Sequence, residues 1–124
     1  MTGEALLVTE HVVFRQALAI VLEWHADFRT VQAGSLTEAH QLLRDPDAEQ
    51  PDLAVVDLEL PNGDAVELIG KIHEVYPRTP VLALTTSHDP ERTARAREAG
   101  AGEVLTMAAS SEEFLEGVRQ LGSG

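Results

Sequence analysis

PDLAVVDLELPNGD, Pro51 to Asp64, is the stretch on which the fold turns. Leu53–Val56 inside it is an unbroken apolar run, short and flanked by turn residues, as expected of a strand covered on both faces. It stops on Asp57, and Pro61-Asn62-Gly63 then reads as a turn. Asp64 and Glu67 follow with the spacing of an acidic capping box. Ala65, Leu68, Ile69, Ile72, Val75 and Tyr76 repeat at the i, i+3, i+4 intervals of one buried helical face. Strand, acid, turn and helix succeed each other within 26 residues, Pro51 to Tyr76.

The same alternation extends in both directions. Further β-prone runs fall at Ala5–Val8, Phe28–Ala33, Val81–Leu84 and Glu103–Thr106, each followed by helical spacing. ALLV and VLAL are nearly continuous apolar runs like LAVV, so they too are expected to be covered on both faces. Ser35 with Glu38 and Ser110 with Glu113 have capping-box spacing, and Asp89-Pro90 places a cap before proline at the first helical position. The fourth helix, ERTARAREAG, is the weakest, with alanines as its only apolar residues and Gly100 as its stop. Five strands alternating with five helices imply an α/β fold with a parallel sheet and helices on both faces.

Composition narrows the function. The 124 residues suit one domain, expected over residues 1–121, with 122–124 as a flexible tail or linker stub. No apolar stretch reaches the roughly 20 residues a membrane helix needs, and no basic-then-apolar leader is seen. The absence of cysteine removes disulfides and thiolate metal sites, so a cytoplasmic setting is expected. A formal charge of −12 argues against direct nucleic-acid binding or attachment to an anionic membrane. Eight of the nine basic residues are arginine, leaving Lys71 as the only lysine. No G-x-S-x-G, P-loop or dinucleotide fingerprint supports an enzyme acting on an external substrate.

Ligands of open parallel sheets sit at the carboxyl ends of the strands. The residues to inspect there are Thr9, Glu10 and His11, then Asp57, then Thr85 and Thr86, then Thr106 and Met107. An ionised aspartate at such an edge serves as a turn cap, as a ligand for a hard cation, or as a nucleophile forming an aspartyl phosphate. Glu10 is expected beside Asp57 across the first and third strands, and two adjacent carboxylates repel unless they share a cation or a proton.

Over nearly its whole length the chain resembles the receiver domains of bacterial two-component response regulators. The segments that carry the resemblance are LLVTEHVVFRQAL, PDLAVVDLELPNGDAVELI, TPVLALTTSHD and AREAGAGEVL. EHVVFRQAL most resembles the NarL/FixJ type, usually followed by a helix-turn-helix domain that gives a transcriptional output. The resemblance implies a flavodoxin-like (βα)5 sandwich with sheet order 2-1-3-4-5. It implies that Asp57 is the phosphoacceptor for a histidine kinase. It implies a Mg²⁺ site formed by Glu10, Asp57 and the backbone carbonyl of Glu59. Thr85 matches the hydroxyl that turns toward the phosphoryl group. The face of the fourth helix, fifth strand and fifth helix is implied as a docking or homodimer surface, with Arg92 and Arg95 upon it.

Three positions depart from the family pattern. Thr9 replaces one of the paired acids, leaving Glu10 as a single carboxylate on a longer stem. The family lysine aligns with Met107, whose thioether cannot pair with a phosphoryl oxygen, a loss of about 1.5–3 kcal/mol for one charge-assisted contact. The aromatic switch on the fifth strand aligns with Val104, which has no ring to move. Metal, counter-charge and relay are all touched. The expected function is therefore an atypical receiver, an interaction module independent of phosphorylation. The alternative is a conventional Mg²⁺-dependent phosphoacceptor of weakened efficiency.

Other features weigh less. His11 and His88 are the two of five histidines expected near the strand-end rim, where a metal site using both would be conceivable. Arg92, Arg95 and Arg97 form a basic stretch expected to pair with acids such as Glu91 and Glu98, unless it serves for docking. Phe14 and Trp24 are expected to be core or partly buried packing residues. A small ligand in a pocket made less polar by Thr9, Thr106 and Met107 is a further option.

Overall fold

The computed structural model describes residues 3–86 and 89–122. Ten elements alternate along the chain: β1 (Gly3–Val8), α1 (Val12–His25), β2 (Phe28–Ala33), α2 (Leu36–Arg44) and β3 (Leu53–Asp57), then α3 (Ala65–Val75), β4 (Val81–Thr85), α4 (Pro90–Ala99), β5 (Ala101–Thr106) and α5 (Ser111–Gly122). The five strands form one parallel sheet in the order β2-β1-β3-β4-β5, a flavodoxin-like sandwich as the sequence implied. Residues 123 and 124 of the expected tail lie outside the described residues, while Gly122 closes α5.

The continuous apolar strands are explained by a core on each side of the sheet. Leu6 and Val8, Ala54 and Val56, and Val81 and Ala83 pack with α2, α3 and α4. Their neighbours Ala5 and Leu7, Leu53 and Val55, and Leu82 and Leu84 pack with α1 and α5. Successive side chains point to opposite faces, so a strand buried on both must be apolar at every position.

Helix starts follow the cap residues. Ser35 Oγ accepts from the Glu38 amide, and Asp64 from the Val66 amide. Asp89 accepts from both Glu91 and Arg92, with Pro90 in the first turn. Ser110 and Glu113 complete a reciprocal capping box, each accepting from the other's backbone amide. Gly100 ends α4 at φ 131°, a left-handed conformation that glycine adopts at little cost.

Phe14 packs against the α1–α5 core, but Trp24 stands 81% exposed. The correction is geometric: Leu18, Ala19 and Leu22 define the buried line of α1, and Trp24 sits about 200° around the helix from Leu22. The arginines of α4 also depart from expectation. Their partners lie on other elements: Arg92 with Glu59, Arg95 with Asp64 and Arg97 with Glu103.

Candidate functional site

Parallel pairing of β1 with β3 sets Val8 opposite Val56, a constant offset of 48 residues. One step further along both strands, Thr9 meets Asp57. The Thr9 hydroxyl donates to Asp57 Oδ2 at 2.8 Å in a fully buried contact. The Glu59 amide donates to Asp57 Oδ1 at 2.7 Å. Each carboxylate oxygen thus holds a hydrogen bond, and Asp57 and Thr9 are only 1% and 2% exposed. Burial pushes the Asp57 carboxyl above its ordinary value of 3.8, against the opposing pull of Glu59 N–H, Thr9 and the nearby His11.

Thr9 is itself held in place. Its backbone carbonyl accepts from Arg15 Nη1 at 2.6 Å, while Arg15 Nε donates to Gln32 Oε1 at 2.9 Å. One arginine on the first turns of α1 therefore ties the end of β1 to β2. Nothing in the reading of the strand ends singled out Arg15.

The second half of the site gathers on Glu59. Its carboxylate accepts from the Thr85 hydroxyl at 3.2 Å, from the Thr86 amide at 3.4 Å and from Arg92 Nη1 at 2.8 and 2.6 Å. Burial pushes Glu59 upward, but the Arg92, Thr85 and Thr86 hydrogen bonds and the Arg92 charge outweigh it and hold its carboxyl below the ordinary value. The contact with Arg92 spans 33 residues of sequence and escaped the reading of the chain. It was reachable in principle, because β3 and β4 are neighbours and Arg92 lies in the first turn of the helix after β4.

The structure separates the other candidate residues. Glu10 is exposed and is not among the groups that shift Asp57. Met107 packs with Phe14 against the α1–α5 core, beside a depression of about 160 Å³ lined by Phe14, Leu18, Met107 and Phe114. Thr106 and Met107 both line that depression, and Thr9 does not. Val104 packs on the opposite core, paired in register with Ala83. Arg95 Nη2 meets Asp64 Oδ2 at 3.1 Å. His88 lies outside the described residues, and with it the two-histidine metal site.

Mg²⁺ demands near-octahedral oxygen coordination at short distances. Several side chains of the implied site already hold other partners. Both Asp57 oxygens accept hydrogen bonds, the Glu59 side chain is engaged by Arg92, and Glu10 is exposed. Among the described residues no three His, Asp or Glu side chains stand close enough to share a metal ion. As arranged, the described side chains do not form a carboxylate cluster that would by itself gather Mg²⁺.

Comparison with known proteins agrees with the fold. The family model described as response regulator receiver domain matches residues 5–119. The response regulator protein VraR of Staphylococcus aureus is 27% identical over 129 aligned residues, which cover 100% of this chain and 58% of VraR. The chain thus spans little more than half the length of the curated relatives it matches. Among solved structures, a CheY-like receiver domain protein from Methanospirillum hungatei superposes with a TM-score of 0.89 at 20% identity, covering 99% of this chain and 95% of that one. A response regulator from Burkholderia pseudomallei, solved with a phosphorylated aspartic acid, calcium ion and citrate, has a TM-score of 0.85 at 27% identity, covering 98% of this chain and 69% of that one.

Proposed function

The chain belongs to the response regulator receiver family, and on that premise we propose that it is an atypical receiver, a protein-interaction module that works without a phosphate cycle on Asp57. The observation that carries this reading is the buried Thr9–Asp57 hydrogen bond. In the family pattern a carboxylate stands where Thr9 is, and its repulsion of Asp57 makes a cation welcome. A hydroxyl supplies a proton to Asp57 instead, so the aspartate is satisfied with no ion present. Glu59, whose backbone carbonyl was implied as a metal ligand, has its carboxylate engaged by Arg92. Met107 and Val104 are packing residues on opposite cores, which leaves neither a counter-charge nor a ring at the positions the family uses.

The partner is a second copy or another protein of the signalling system, met through α4, β5 and α5, and the whole protein controls a transcriptional output. Arg92 and Arg95 contribute to that face less as free charges than as struts, because acids of the β3–α3 connection already bind them. A second reading keeps Asp57 as a weak phosphoacceptor. It is favoured by the cationic Arg92 held on Glu59, two residues beyond Asp57, and by the phosphorylated aspartate of the Burkholderia relative.

Incubation with acetyl phosphate and Mg²⁺, followed by intact-mass analysis, decides between them. The expected result is no added phosphoryl mass, and Asp57→Asn leaves the oligomeric state and cellular output unchanged. A gain of one phosphoryl group that disappears in Asp57→Asn would favour the second reading.

A further inference from the structure

We infer that Glu59 is a built-in oxyanion, filling from within the chain a site made by the Thr85 hydroxyl, the Thr86 amide and the Arg92 guanidinium. The inference rests on the phosphate-independent reading and gives it a physical cause. Three donors of different chemistry, from the end of β4 and the first turn of α4, converge on one carboxylate. A hydroxyl, a backbone amide and a guanidinium together are the equipment with which proteins hold phosphate-like oxyanions. Here that equipment is served by a side chain two residues beyond Asp57, whose own amide is bonded to Asp57.

The geometry has two consequences. The Thr85 hydroxyl and the start of α4 are held on an anion that belongs to the chain, with no need for one to arrive. The Arg92 charge, set beside the site, does work for which no lysine is available, since the sole lysine, Lys71, pairs with Glu74 on α3. Conversely, deleting the Glu59 carboxylate should leave three donors facing a gap of oxyanion character.

The test is an NMR titration of the full chain with inorganic phosphate, in an Asp57→Asn background so that no aspartyl phosphate can form. Glu59→Ala is expected to gain saturable shifts at the Thr85 and Thr86 amides and in the first turn of α4. Its affinity should exceed that of the Glu59-containing parent by about tenfold or more, the weight of one charge-assisted contact. Adding Arg92→Ala should abolish the gain. Should Glu59→Ala disturb the fold, Glu59→Ser provides the same comparison, keeping a polar side chain while still vacating the carboxylate's position. Absence of phosphate-dependent shifts in a well-dispersed Glu59 variant overturns the inference, as does binding that survives Arg92→Ala. Acetyl phosphate labelling of wild type reads the other question separately: a mass gain there removes the phosphate-independent reading, while the titration still tests the oxyanion site.

Discussion

Asp57 and Glu59 sit two residues apart and are tuned in opposite directions. Asp57 is raised by burial, so the folded chain holds its proton more tightly than the unfolded chain does. Ionising it therefore costs stability, a cost absent below 3.8 that grows as the pH rises through the folded value. Glu59 is lowered by its donors, so its contribution is present above 4.5 and is lost as the pH falls through its folded value. Wild type minus Asp57→Asn should accordingly give an unfolding free-energy difference that declines as the pH rises above 3.8 and then levels off. Urea unfolding at a series of pH values measures it, and a flat difference curve would contradict the burial of Asp57. Thr9→Val removes the hydroxyl from an ionised, buried acceptor and should cost about 1.5–3 kcal/mol near neutral pH. Much less of that cost should remain when Asp57 is already Asn. Thr9 was visible in the sequence as a departure; that its hydroxyl replaces the missing carboxylate's partner was not, because a sequence carries no side-chain direction.

At the scale of elements, α4 differs from its neighbours. Its buried contribution is Ala96, with Ala99 partly packed, whereas α3 buries Ala65, Leu68, Ile69 and Ile72. What holds α4 is polar: the Asp89 cap and the Arg92, Arg95 and Arg97 ion pairs reaching Glu59, Asp64 and Glu103. Exposed ion pairs are weak and are screened by salt. Amide exchange should therefore be fastest in α4 among the five helices and accelerate there selectively as salt is raised. Asp89→Ala, removing a cap that satisfies two amides, should cost about 0.5–2 kcal/mol and quicken exchange in the same helix. Uniform exchange across α3 and α4 would show that the ionic contacts hold more than their exposure suggests. The weakness of α4 was legible from its alanines. Its partners were not, because each ion pair depends on which loop the sheet order brings alongside.

At the scale of the whole molecule, the layered architecture and both cores were legible because strand and helix patterns alternate five times, whereas the strand order came from the family resemblance and not from periodicity. LAVV cannot face water on either side, and that alone requires layers above and below the sheet. Single residues outside the repeat were less secure. Trp24 is large and apolar, features that suit a core, yet its angular position on α1 places it in solvent. The contrast gives a stability prediction. Leu68 is fully buried in the α2–α4 core, and Leu68→Ala should leave a cavity and cost about 2–5 kcal/mol. Trp24→Ala removes a larger side chain, yet should change stability by no more than about 0.5 kcal/mol. Wild-type tryptophan fluorescence should be readily quenched by iodide in the folded state and change little in quenching on unfolding. A loss of several kcal/mol at Trp24, or protection of its fluorescence at micromolar protein that is relieved on dilution, would mean that this face of α1 is covered in solution.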